Sequence, residues 1–408
     1  MNGAKNIFFQ AKADGVNKVS LCFLHPVKGI RQLDVPTAEF NDDNALRRTL
    51  SSVDLTDFGP VSQSFLVPEF DTYRTIWTPD NNNQNAVVFC DVANEKKATF
   101  CPRILLKENL ENLRNNGFGD LMLGLEYEYI QYPKSSFMAV IMNIIHLCAT
   151  TGDYIEMMLT NYLASVDGKK QFSEFVVSTR EELARCLELS GVGVARQYQE
   201  WFYQPEIATK KKNALETCDD FFIVKKIFQD YCTKHKIPTT FIPHLNHELL
   251  TTGMHFNMSL EKSGTNLFTF NNIQLCDNFE KAIADSSCGL RFLACTKDSS
   301  LKRIRRRGSF SPGHKEGFFD KESRVEWKDP DALIDSPHLL ASAISCVTLR
   351  RMRGNFVMPD PLVLWKSKQE RITHKKSAQS FMDDENIQAS FVSAPQLPQY
   401  LVDERLNR

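Results

Sequence analysis

Three short segments of this chain alternate charged or polar side chains with bulky apolar ones, and no other feature restricts its fold as tightly. In GLEYEYI, Glu126 and Glu128 stand two residues apart. A strand sends such a pair to one face and Tyr127 and Tyr129 to the other. GMHFNMSL repeats the arrangement, with His255, Asn257 and Ser259 opposite Met254, Phe256, Met258 and Leu260. SRVEWKDPD does so again, with Arg324, Glu326 and Lys328 opposite Val325 and Trp327. A fourth segment, QEWFYQPEI, offers Glu200, Gln204 and Glu206 at even spacing. Pro205 argues against a regular central strand here, and the segment reads as a strand passing into a loop.

Each segment alone has a plainer reading. An isolated E-x-E suits the solvent edge of a half-exposed strand. Alternating charge in SRVEWKDPD suits a surface strand, and QEWFYQPEI suits a surface turn. A lone histidine in an apolar strand is more often a hydrogen-bonded core residue than a ligand. Together, however, five carboxylates and a histidine beside aromatic and methionine residues suggest one enclosed polar site. Clustered carboxylates raise one another's pKa, so a divalent cation is their natural counterion. Oxygen-rich ligation with a single imidazole suits Mg²⁺ or Mn²⁺ better than zinc.

The rest of the chain predicts a mixed α+β architecture. Residues 16–40 alternate apolar and polar positions around Pro26 and Gly29, which suggests a hairpin. NAVVFCDV reads as a strand, and PRILLKENLENLRNNGFG as a helix closed by Gly117 and Gly119. Helical spacing recurs at Glu181–Ser190 and from Lys212 to His235. The apolar stretch from Phe137 to Thr150 is shorter than the roughly 20 residues of a membrane span and reads as a buried helix. From Lys366 onward the chain is polar and charge-rich, the pattern of a mobile tail. With 49 basic against 50 acidic side chains, nothing pulls it globally toward nucleic acid or an anionic membrane. Eleven scattered cysteines without a C-x-x-C pair, and a start lacking the order of a secretory signal, predict a reducing, cytoplasmic setting.

In order and spacing, these motifs resemble the glutamine synthetase family over most of the chain, from about Val16 to about Val347. Glu126–Tyr127–Glu128 looks like the family's E-x-E strand, and Gln199–Glu200 with Gln204–Pro205–Glu206 looks like its H-E…G-Q-x-E segment. Residues 251–259 resemble its G-S-G-M-H-x-H-x-S strand, and residues 324–330 its R-x-E-x-R segment before P-D. TTFIPHL resembles T-F-M-P-K-P with His244 in place of the lysine, and Ser299–Ile304 echoes N-S-Y-K-R-L. The helix from Ser336 follows in its expected place.

The resemblance implies a small β-grasp-like N-terminal domain (residues 1–100), a catalytic-type domain with a curved antiparallel sheet and flanking helices (101–365), and the tail (366–408). It implies that Glu128, Glu200 and Glu206 hold one Mg²⁺ or Mn²⁺, and Glu126, His255 and Glu326 another. Asn257, Ser259 and Gln204 would line the ATP site; Arg303, Arg307, Arg324 and Lys328 would meet phosphate or carboxylate. The chemistry implied is phosphoryl transfer from ATP to glutamate, followed by attack of ammonia or an amine on the acyl phosphate, in a homo-oligomeric ring.

Departures fall on the substrate side. Leu250–Thr251 replaces an Asn-Gly pair, Asn257 stands where a second histidine is usual, and the loop from Glu200 to Glu206 is shortened. Arg303 and Arg307 are only four residues apart, leaving no flap and no glutamate to shield the acyl phosphate. The run Lys302–Arg307 equally suits a basic surface patch or localisation signal, Ser309 is a candidate phosphorylation site, and Asp57 lies where a neighbouring subunit's acid is expected. Three alternatives follow: a ligase, impaired in activity; a lengsin-like non-catalytic binding or structural protein of the same fold; and a shortened form that does not assemble.

Overall fold

The computed structural model describes residues 2–25, 29–51, 64–77, 85–94, 101–131, 166–201, 204–237, 239–241, 243, 251–269, 272–297, 300, 303–304, 318–321 and 324–354. The apolar stretch from Phe137 to Thr150, Asp57, His244, Leu250, Arg307, Ser309 and the tail lie outside them.

Helix α1 (Asn2–Ala13) leads into the hairpin of β1 (Lys18–His25) and β2 (Gly29–Pro36), which pair antiparallel as the alternation in residues 16–40 predicts. Helix α2 (Asp43–Ser51), β3 (Ser64–Pro68), β4 (Arg74–Ile76) and β5 (Asn85–Asn94) complete a five-stranded sheet of order β2-β1-β5-β3, with β4 also on β5. Strands β1 and β5 are parallel and lie inside the sheet. Both faces of these two strands are covered. Val19, Leu21, Phe23, Val88 and Cys90 join Ile7 and Ala11 of α1 in one core, while Cys22, Leu24, Val87 and Phe89 join the larger core on the other side. That double burial explains their near-continuous apolar sequences.

Helix α3 (Pro102–Asn115) starts with Pro102 in its first turn and is followed by Gly117 and Gly119, both at positive φ. A side chain at Gly119 would collide with the Glu261 carbonyl, so the residue lets β6 (Asp120–Glu128) enter the second sheet beside its neighbour. Strand β7 (Ile130–Gln131) follows, then α4 (Val166–Leu189), β8 (Val194–Trp201), β9 (Gln204–Thr209) and β10 (Lys212–Asn213). Helix α5 (Ala214–His235) is capped by Asn213, whose side chain accepts from Glu216 N–H, and ends on Lys236 in the left-handed region. Next come β11 (Thr239–Thr240), β12 (Met254–Lys262), β13 (Thr265–Asn266), α6 (Ile273–Asp285), α7 (Ser287–Ala294), β14 (Phe318–Lys321), β15 (Arg324–Trp327) and α8 (Pro337–Met352).

The second sheet has eight strands in the order β14-β15-β12-β6-β9-β8, with β10 on β6 and β13 on β12, and every pairing is antiparallel. It curls as an antiparallel half-barrel, giving the α+β class that the sequence predicts. Pro205 corrects one expectation: β9 is a central strand, not a passage into a loop. The proline is tolerated because its carbonyl, and with it its nitrogen, faces the β6 side of the strand, where the β6–β9 register ends at Glu128–Glu206 and the ladder needs no N–H. Its carbonyl still accepts from Tyr129 N–H.

Helix α8 is buried from Pro337 to Leu349 and packs on α3, α5, α6 and α7. Its start is fixed by Ser336, which accepts from Leu339 N–H. A buried charge cluster ties the layers together. Arg103 of α3 reaches Glu69 (2.7 Å), Asp91 (2.9 Å) and Asp219 of α5 (2.9 Å), and Asp219 also lies 2.8 Å from His338 Nε2 of α8. Among the described residues, no helix is long and apolar enough to cross a membrane.

Candidate metal centre

Strand register brings the polar residues of the second sheet onto one face. Asn257 of β12 stands across from Glu326 of β15 and Gly124 of β6. The neighbouring rung joins His255, Glu126 and Ala208, and another pairs Glu128 with Glu206 and Glu206 with Tyr198. Directly opposed residues share a face of the ladder. The intervening residues Tyr127, Met254, Phe256, Ile207 and Trp327 go to the other face and join the main core.

His255 is the hub. Its Nδ1 lies 3.1 Å from Glu126 Oε2 and 3.3 Å from Glu326 Oε1, and its Nε2 lies 3.2 Å from Glu128 Oε1. Glu128 also accepts from Gly253 N–H at 2.6 Å and from Gln204 Nε2 at 3.0 Å. The Gln204 amide donates as well to the Thr251 carbonyl at 2.9 Å, so this side chain serves to orient Glu128. A side chain at Gly253 would collide with the Arg303 guanidinium and meet His255 Nε2 at 3.0 Å, which explains a glycine at this point.

The electrostatics follow from crowding. Burial works against a charged His255, but Glu128, Glu126 and Glu326 raise its pKa well above the usual value. Burial likewise works against an ionised Glu128 and Glu326, yet His255 brings each down to about 2, helped by Arg303 for Glu128 and Lys328 for Glu326. Glu126 is lowered too, against its burial, mainly by His255. Glu206 behaves oppositely: burial and the charge of Glu126 push it up to about 7. Glu200 stands at the register shift of β8 with much of its side chain in solvent, and the partial burial of its carboxyl together with Glu128 raises its pKa.

Among the described residues, Glu126, Glu206 and His255 offer ligand atoms that all lie within 4.8 Å of one another. This set cuts across the two triads implied by the resemblance. Its chemistry, two carboxylates and one imidazole with Glu128 and Glu326 against the same ring, fits a hard divalent cation. The buried Oδ1 of Asn257, without a hydrogen-bond partner, is a further oxygen donor on that face.

The remaining expected residues are differently disposed. Arg324 approaches Glu126 at 3.9 Å and Glu326 at 4.0 Å, and Lys328 lies 3.2 Å from Glu326. Ser259 is buried on the same row of β12 as His255. Arg303 is 3% exposed, and its guanidinium donates to the carbonyls of Asp329 (2.9 Å) and Lys328 (2.8 Å). One residue at the centre was not anticipated. Arg196 Nη2 lies 3.0 Å from Glu206 Oε1 and 3.1 Å from Glu126 Oε1. It stands four residues before Glu200 in VARQYQEW, an even spacing that marks a shared face but does not name Glu206 as its partner.

A sequence model described as the glutamine synthetase catalytic domain matches residues 99–312, slightly more than half of the chain. Curated relatives include glutamine synthetases of Staphylococcus aureus and Staphylococcus epidermidis, each 26% identical over 263 residues, 63% of this chain and 55% of the relative. The chain thus spans about half the length of the curated relatives it matches. A solved Plasmodium falciparum glutamine synthetase is similar with a TM-score of 0.66 and 19% identity, over 88% of this chain and 77% of that one. A structure titled as a GmaS/ADP complex is similar with a TM-score of 0.70 and 15% identity, over 98% and 94%. At these identities the structural likenesses speak to fold alone.

Proposed function

The chain belongs to the glutamine synthetase family, and from that premise we propose that it is an ATP- and divalent-metal-dependent ligase joining the γ-carboxyl of glutamate to ammonia or an amine through an acyl phosphate. The observation that carries this reading is the convergence of Glu126, Glu206 and His255 within 4.8 Å, with Glu128 and Glu326 also against the His255 ring. In this reading Glu128, Glu200 and Glu206 serve one Mg²⁺ or Mn²⁺, and Glu126, His255 and Glu326 serve a second. Bound there, divalent ions would neutralise phosphate oxygens and polarise the phosphoryl group under transfer.

The protein's own part is positional. His255 fixes three carboxylates around one ring, and Gln204 and Gly253 N–H fix the second oxygen of Glu128. Arg324 and Lys328, each about one-third exposed at the rim of the cluster, suit a phosphate or carboxylate approaching from solvent. Asn257 and Ser259 continue the same row of β12 and suit the nucleotide side. ATP, glutamate and the amine as small-molecule partners, assembly into a ring and a cytoplasmic setting belong to the same proposal. The cysteines with described side chains are all free and buried, which suits a reducing compartment.

The test is ATP hydrolysis by the full chain with Mg²⁺, glutamate and a panel of amines. Turnover that needs all three and disappears in Glu326→Ala is expected; no turnover with any amine would sink the ligase reading. A second reading, a lengsin-like binding protein without turnover, is favoured by Arg303, whose guanidinium is engaged with backbone carbonyls. Metal and ATP binding without hydrolysis would select it.

A further inference from the structure

Arg196 contacts two of the three residues whose ligand atoms converge at the candidate metal centre. Its guanidinium spans Glu206 and Glu126 at 3.0 and 3.1 Å. A divalent cation draws on the same carboxylate lone pairs. Three acids contact His255 and a fourth, Glu206, lies close by; Lys328 lies against Glu326, Arg324 approaches Glu326 and Glu126, and among the described residues Arg196 is the cation bonded to Glu206. Buried carboxylates without such a partner would destabilise the metal-free protein.

The same side chain is well placed to leave. It is 50% exposed, it belongs to β8 at the end of the described sheet, and the Tyr198 ring lies 6.0 Å from its guanidinium carbon. A register shift between Val194 and Arg196 sets it opposite Ala208, next to the Glu206 rung rather than on it. From there it reaches Glu126 along the rung they share through Ala208 and Glu206 diagonally, while the other oxygen of Glu126 stays 3.1 Å from His255.

We propose that Arg196 is a tethered counter-cation that competes with a divalent metal ion for Glu126 and Glu206, so that metal loads only as the guanidinium swings out to solvent. The inference rests on the reading of these acids as metal ligands. It makes two demands at once: the metal-free fold is stabilised by Arg196, and its affinity for metal is lowered by the same contacts.

The experiment is calorimetric titration of the EDTA-stripped full chain with Mn²⁺ alone, for wild type, Arg196→Gln and Arg196→Lys, with thermal unfolding of each in EDTA. Arg196→Gln is expected to bind Mn²⁺ about tenfold more tightly than wild type, the scale of two half-exposed ion pairs, and to unfold at a lower temperature without metal. Arg196→Lys keeps the charge, but its ammonium sits one bond nearer the backbone than Nη2 and meets the two acids less closely, so its affinity falls between the two. Should the glutamine variant not fold, the lysine variant decides: Mn²⁺ affinity above wild type supports competition, and unchanged affinity overturns it. Equal or weaker Mn²⁺ binding by Arg196→Gln, with wild type binding normally, overturns the competition and leaves the metal reading standing. No Mn²⁺ binding by any of the three overturns both.

Discussion

Glu126 and His255 are register partners across β6 and β12, and the carboxylate Oε2 of one lies 3.1 Å from the imidazole Nδ1 of the other. The contact is fixed by the ladder itself rather than by a loop. The position of the ring between three acids therefore follows from strand pairing, and its removal has a definite cost.

His255→Ala leaves Glu126, Glu128 and Glu326 facing one another without their shared partner. We expect the metal-free variant to lose about 3 kcal/mol of stability, as when one member of a buried charged group is deleted. Urea denaturation in EDTA measures it. Saturating Mn²⁺, which rescues the fold only where ligands remain, should restore less stability in the variant than in wild type.

Arg103 is buried against Glu69, Asp91 and Asp219. Arg103→Met should destabilise the chain by about 3–5 kcal/mol, because Asp219 is left buried with His338 alone. Arg103→Lys should recover little, since a single ammonium cannot serve three acids in the planar arrangement. Equal denaturation midpoints for wild type and Arg103→Met would exclude this role.

Acid should weaken the junction of α3, α5 and α8 in two stages. Burial lowers the His338 pKa below its ordinary 6.5, so the unfolded chain binds the extra proton first and stability falls as pH drops through 6.5 toward the folded value. Burial works against the Asp219 carboxylate, but His338 and Arg103 hold its pKa below 3.8. That second contribution is intact above 3.8 and is lost as pH falls through the depressed value. His255, raised in the fold, acts with the opposite sign. The check is therefore a difference: between pH 7 and pH 5.5, wild type should lose more stability than His338→Asn.

Gly253→Ala places a carbon against the Arg303 guanidinium and His255 Nε2. Its expected signature is weakened Mn²⁺ binding, by about tenfold or more, with a fold that is retained. Calorimetry and circular dichroism on the same sample separate the two effects.

Local alternation made the acid-bearing strands legible. Glu126, Glu128, His255 and Glu326 could be placed on one face because each lies in a strand with period two and bulky alternates. Pro205 and Glu200 were harder: a proline cannot donate to a ladder, so Pro205 looked like an exit from the sheet, and a register shift breaks the period of β8 at Glu200, which looked like an ordinary member of its row. Arg196 meets Glu206 diagonally across that disturbed register, and the pairing becomes visible only once β8 and β9 are aligned. The Arg103 cluster was invisible in principle, since Asp219 lies 116 residues away and nothing local marks the partnership.

Helix α8 is enclosed by α3, α5, α6 and α7 along most of its length, yet it is the last described element of the chain. During synthesis, the apolar sides of those four helices wait uncovered until about residue 352 has left the ribosome, and Asp219 waits as long for His338. A stalled or prematurely terminated polypeptide ending before Ser336 therefore presents the partly built interior to chaperones and proteases.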